Sequence, residues 1–180
     1  MRLFFSVILL LFLSVPVVVF AQDSGTQAAG LVPSPINYPL AYPGILPDNP
    51  LYPLKMLRDR IVFFLINDPF KKAEFNLLQA DKRLGAGLFL IDRDKNKASL
   101  AVDTISKGEN YFHDAVAGAI IMQQQGRNVT SLVQDLDKAV NKHIEVVTNL
   151  RRTVPTQAGK LQQILERLKT YQQSIKKAKG

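Results

Sequence analysis

The sequence predicts an all-α protein: an antiparallel bundle of four long helices plus a shorter leading helix, after a proline-rich extended segment. Three observations predict it. Beyond Pro53, apolar residues recur at alternating spacings of three and four, the period of one helix face. Short breaks marked by Pro, Gly or a charged run divide that pattern into helix-length pieces. Hydrophobic residues make up 47% of the chain and cysteine is absent, so a core must form and packing alone must hold it.

The chain opens Met1-Arg2 and then runs apolar from Leu3 to Phe20, broken only by Ser6, Ser14 and Pro16. A short positive start, an apolar stretch and small or β-branched residues at Val19 and Ala21 read as a signal peptide over residues 1–21. Pro16 keeps the segment before the cut extended. An uncleaved anchor is the alternative, since a spanning helix needs about 20 apolar residues. Both readings place the rest of the chain outside the cytoplasm, exported to the periplasm or the exterior. Without cysteine, a lipoprotein anchor is excluded.

Residues 22–52 form a proline-rich spacer. Pro33, Pro35, Pro39, Pro43, Pro47, Pro50 and Pro53 are spaced too closely for a helix and remove too many donors for a central strand. The segment should be extended and partly polyproline II. Its interleaved Tyr38, Leu40, Tyr42, Ile45 and Leu46 suggest that the last third packs on the domain.

The helical domain spans residues 53–178. Pro53 suits a first turn, and Leu54, Leu57, Ile61 and Phe64 give the leading helix its apolar stripe. Asp68 should cap the second helix with Pro69 at its first position. That helix carries Phe70, Ala73, Leu77, Ala80, Leu84, Leu88 and Ile91 on one face and ends in the charged run Asp92 to Asn96. Ala98, Ala101, Ile105, Gly108, Phe112, Ala115, Ala119 and Met122 mark the third helix, closed by Gly126 as a left-handed cap. Val129, Leu132, Leu136, Ala139, His143, Val146 and Leu150 mark the fourth, with Asn128 or Thr130 as its N-cap. Val154-Pro155 ends it, and Leu161, Ile164, Leu168, Tyr171 and Ile175 mark the fifth. Sustained alternation of three and four favours neighbours packed near +20°, and short connections make successive helices antiparallel. Gly85 and Gly87, inside a helical pattern, are close-packing positions.

The chain carries 23 basic and 15 acidic side chains, a net charge of +8. Most of the surplus lies after residue 130, where 10 basic residues face 4 acidic ones. On an exported protein this favours anionic envelope partners, such as acidic lipid or wall polymer, and not nucleic acid. Arg151, Arg152, Lys169, Lys176, Lys177 and Lys179 are the candidate anionic-surface residues. Cations near a helix end also suit its dipole, and a merely solvated face is the plain alternative.

His143 stands where Val or Leu would be expected. A buried imidazole needs partners for both nitrogens. It is therefore either bonded to a neighbouring helix or a ligand or proton-linked switch; Glu145, on another face, is a poor partner. His113, beside Asp114 and off the stripe, should be exposed. Each histidine stands 15 residues from Asn128, so a hairpin would put them at one height and makes them the metal candidates. Zinc takes three or four protein ligands, and no carboxylates complete the set on those faces, so no metal or cofactor is assigned. No nucleophile turn, phosphate-cradling loop or helical His-Glu-x-x-His is present in the sequence, and an enzyme is not expected.

The run Pro43-Gly44-Ile45-Leu46-Pro47-Asp48-Asn49-Pro50-Leu51-Tyr52-Pro53-Leu54-Lys55 resembles the opening motif of a bacterial family known as domain of unknown function 5667. Asn67 to Glu74, Ala80 to Leu84 and Lys142 to Val146 are similar too, so the likeness covers roughly residues 43–150. It implies an exported or membrane-anchored helical protein with no assigned activity, and it carries over no catalytic residue. This chain departs in being poorer in Glu and more basic. Together these readings point to a non-enzymatic extracytoplasmic helical module that binds an envelope component or a protein partner. The alternative is a sensory or regulatory domain acting on a membrane signalling partner. The sequence leaves the oligomeric state open.

Overall fold

A computed structural model describes residues 37–179 of the chain. The expected signal peptide, residues 1–21, and the first part of the spacer lie outside the described residues. Those described form an extended strap, residues 37–51, followed by α1 (Tyr52–Leu65), α2 (Pro69–Arg93), α3 (Ala98–Gln124), α4 (Thr130–Thr153) and α5 (Ala158–Lys179). Short 3-10 turns, Lys95–Lys97 and Pro155–Gln157, precede α3 and α5. No helix among the described residues is long and apolar enough to cross a membrane.

The punctuation works as its chemistry dictates. Asp68 caps α2 by accepting from the Phe70 amide at 3.0 Å, with Pro69 in the first turn. At the end of α3, Gly126 takes φ +74°, and the Arg127 amide reaches back to the Met122 carbonyl at 3.0 Å. That is the left-handed C-terminal cap that glycine permits. Neither cap candidate for α4 is its N-cap: that position is Val129, which has no side-chain cap bond. Asn128 acts one residue earlier, its side chain accepting from the Thr130 amide at 3.0 Å in a turn that leads into the helix.

Helices α2 and α3 pack as one intimate pair, α4 and α5 as another, and α3 also lies along α5. The stripes meet in one core, where Leu84, Leu90, Ile105, Phe112, Met122, Leu132, Leu136, Leu161, Leu168 and Ile175 are fully buried. Small residues set the α2–α3 spacing. A Cβ at Gly87 would stand 2.5 Å from Ile105 Cγ1, and one at Gly108 would stand 2.8 Å from Arg83 Cβ. At Gly85 the space is taken instead by the strap, whose Ala41 carbonyl and Pro43 ring pass over it.

The leading helix corrects an expectation. Leu54, Leu57, Ile61 and Phe64 do not face the core; they are 63%, 56%, 51% and 80% exposed. The inward face carries Tyr52, Lys55, Met56 and Asp59 instead, and α1 makes none of the close helix packing that joins the other four. Periodicity shows that a helix has two unlike faces; it does not say which one is turned inward. Here polar anchors decide. Lys55 Nζ donates to the Pro43 and Ile45 carbonyls at 2.6 and 3.2 Å, and Arg83 reaches Met56 Sδ at 3.3 Å.

The strap descends along α2, from Tyr38 beside Asp81, through Pro43 at Gly85, to Asp48 beside Arg93 and Lys97. Gly44, at φ +67°, lets the chain begin its reversal, and Asn49 closes it by accepting from the Leu51 amide at 2.9 Å. Helix α1 then returns alongside α2, with Phe63 and Phe75 in ring contact at 6.0 Å.

Candidate functional site: a buried charge relay and an outward apolar helix face

His143 is fully buried between three helices. Its Nδ1 lies 3.0 Å from Glu109 Oε1 on α3, and its Nε2 lies 2.9 Å from Asp81 Oδ1 on α2. Asp81 Oδ2 in turn accepts from the Tyr38 hydroxyl of the strap at 2.6 Å. Four segments of the chain are thus tied by one row of polar groups. The Phe112 ring packs edge-on to the imidazole at 5.0 Å.

The electrostatics follow from this enclosure. Burial by itself pulls the imidazole toward neutrality, but the facing Glu109 carboxylate, with the Asp81 hydrogen bond, overcomes it and pushes the His143 pKa up to about 9. At neutral pH both ring nitrogens therefore carry protons and donate, one to each carboxylate. Burial, with Asp81 close by, pushes the Tyr38 hydroxyl well above the usual phenol range, so it stays a donor. Glu109 Oε2 is buried and has no hydrogen-bond partner among the described residues.

The metal candidates are not brought together. Both nitrogens of His143 are taken by carboxylates, whereas His113 is exposed and its Nδ1 sits 3.2 Å from its neighbour Asp114. Equal height along the hairpin was not enough: His113 is one position past the inward Phe112, and about 100° of helical rotation carries it to the surface. Among the described residues no group of three or more His, Cys, Asp or Glu has the arrangement to hold a metal ion. Glu145 turns away from His143 and lies 3.5 Å from Lys142.

The candidate anionic-surface residues are all exposed but split between two ends of the bundle. Lys176, Lys177 and Lys179 share one end with the starts of α2 and α4 and the close of α3. Bonds from Arg127 to Asp68, from Gln123 to the Ala178 carbonyl and from Lys179 to Asp137 tie that end together. Arg151 and Arg152 stand at the other end, where Arg151 bonds Gln162, and Lys169 lies midway along α5. They do not make one patch.

The same end that holds Lys176 and Lys177 receives the C-terminal half of α1. There Arg60, Phe63, Phe64, Leu65, Asn67 and Lys72 line an open cleft of about 580 Å³. Arg60 is exposed, Lys72 lies over the Phe63 ring at 5.5 Å, and neither has a carboxylate in ion-pair range among the described residues. Charge and apolar surface thus meet in one place.

A family model described as Domain of unknown function (DUF5667) matches residues 44–157. The matched span contains Asp81, Glu109, His143 and all of α1; Tyr38 precedes it and α5 follows it. Neither the curated proteins nor the solved structures yield a match to the chain.

Proposed function

From a chain that belongs to the domain of unknown function 5667 family, and so inherits no activity, we propose a non-enzymatic helical interaction module of the bacterial cell envelope. It acts outside the cytoplasm and engages its partner through the outer face of α1. One observation carries this reading: a fourteen-residue helix keeps its polar side on the bundle and turns Leu54, Leu57, Ile61, Phe64 and Leu65 to solvent. A contiguous exposed apolar patch of this kind marks an interaction site. The apolar opening of the sequence supports export, and the excess of basic residues favours anionic surroundings.

Site-specific photocrosslinking in living cells tests it. A photoreactive side chain at Leu57 or Phe64 should give products that the same group at Ser99, at the other end of the bundle, does not. Equal yields at all three positions would remove the reading. Mass spectrometry of the mature protein should find Gln22 at its N-terminus, or the intact leader in the membrane fraction; an intact chain in the cytosol would contradict export.

A second reading is a sensory domain acting on a membrane signalling partner. The buried Asp81–His143–Glu109 relay favours it, because one proton there sets the charge on the joint between strap, α2, α3 and α4. Its test is partner crosslinking across pH: yields should change with His143 present and stay flat in His143→Leu.

A further inference from the structure

We infer that the partner of α1 is the surface of an anionic bilayer, into which the helix lays its outer face. This deepens the reading above and rests on it. The geometry of α1 is that of an interfacial helix. At 100° per residue, Leu54, Leu57, Ile61, Phe64 and Leu65 form one stripe, with Arg58 and Arg60 on its two borders. Both arginines are exposed; Arg58 is bonded to Asp59, and Arg60, with no carboxylate in ion-pair range among the described residues, is placed to meet phosphate while the stripe sinks into the acyl boundary.

Charge complementarity chooses this occupant over a second copy of the chain. The single acidic side chain of α1, Asp59, is buried on the inward face and paired with Arg58. Two such helices packed stripe to stripe would bring Arg60 against basic borders, with no exposed carboxylate of α1 to meet it. A bilayer rich in anionic headgroups supplies the missing charge.

The rest of the surface agrees in position. The cleft at the end of α1 puts the cations Arg60 and Lys72 beside Phe63, Phe64 and Leu65, the pairing an anionic amphiphile requires. A membrane lying along α1 therefore meets Arg60 and Lys72 next to the end of the stripe.

The absence of cysteine from the sequence makes the test direct. Single substitutions Leu57→Cys, Leu65→Cys and, as control, Ser99→Cys each carry a polarity-sensitive fluorophore on the full chain. Because the label reports its own surroundings, attachment by the apolar N-terminal segment does not mimic the result. Vesicles of phosphatidylcholine with phosphatidylglycerol should shift the Leu57 and Leu65 labels to the blue and leave Ser99 unchanged. Phosphatidylcholine vesicles should not, and Arg60→Gln with Lys72→Gln should weaken the apparent affinity roughly thirtyfold.

A blue shift that grows with protein concentration without vesicles would mean self-association and overturn the proposal. So would an equal response to neutral vesicles, or none to either kind. In the last case, cellular crosslinks from Phe64 to a protein would leave α1 standing as a docking face. Silence in both experiments would remove both readings.

Discussion

His143 and Glu109, 34 residues apart in sequence, face each other at 3.0 Å with neither side chain reachable by solvent. Such a pair is costly to build, because each charge gives up its hydration, and costlier to break, because the survivor is left alone in an apolar interior. Replacing His143 by Leu strands Glu109 and Asp81 together. We expect a loss of about 3 to 5 kcal/mol in chemical denaturation. The triple variant with Asp81→Leu and Glu109→Leu should recover most of it, since no lone charge remains. Equal stability for His143→Leu and the native chain would mean that the relay contributes nothing.

The same relay sets a pH dependence. The folded-state pKa of His143, about 9, stands above the ordinary 6.5, so folding favours the protonated form. Its contribution is complete below about pH 6.5, declines between there and about 9, and is gone above. A rise of that size corresponds to about 3 kcal/mol in all. The melting temperature of the native chain should therefore fall across that window, and the fall should be absent in His143→Leu. Carbon-bound ring protons followed by NMR would place the titration directly; a midpoint near 6.5 would contradict the geometry.

Tyr38 is the strap's one polar hold on the relay, through Asp81 at 2.6 Å. Tyr38→Phe keeps the ring and removes the donor, leaving a buried carboxylate oxygen without it. A hydrogen bond to a charged group contributes about 1.5 to 3 kcal/mol, so a loss in that range is expected. The effect should also be local. Hydrogen exchange should quicken in residues 37–47 before it quickens in α2 or α3, and uniform quickening would show that the strap is not a separate unit.

Much of this was legible in the sequence, for reasons the residues make clear. Helices α2 to α5 follow stripes long enough to fix their number and their inward faces, and Asp68, Gly126 and Pro155 mark their ends as expected. The direction of α1 was not legible. Its stripe is as regular as the others, and tertiary contacts of Lys55, Met56 and Phe63 hold the opposite face inward. The carboxylates of the relay left a signal. Asp81 falls between Leu77 and Leu84, and Glu109 between Ile105 and Phe112, each at spacings of four and three, so both acids stand on apolar stripes. What pairs them with His143, across 62 and 34 residues, is the packing of three helices, which periodicity within one helix cannot encode. Tyr38 gave no such signal, being one of several aromatic and aliphatic residues among prolines.

Two glycines test how tightly α2 and α3 are joined. At Gly87 an added methyl would collide with Ile105 at 2.5 Å and with the Ala101 carbonyl at 3.0 Å, and backbone cannot yield as a side chain tip can. At Gly118 the nearest atom to an added methyl is Ala73 Cβ at 3.6 Å, an ordinary contact. Alanine gains about 0.5 to 1 kcal/mol over glycine inside a helix, so Gly118→Ala should stabilise the protein by about that much. Gly87→Ala gains the same propensity but must prise the pair apart. Overpacking a filled core costs about 1 to 3 kcal/mol, and the net effect should be a loss. Denaturant midpoints for the two variants should therefore move in opposite directions. If both rose, α2 and α3 would have room that their close approach denies, and the relay's short distances between them would lose their frame.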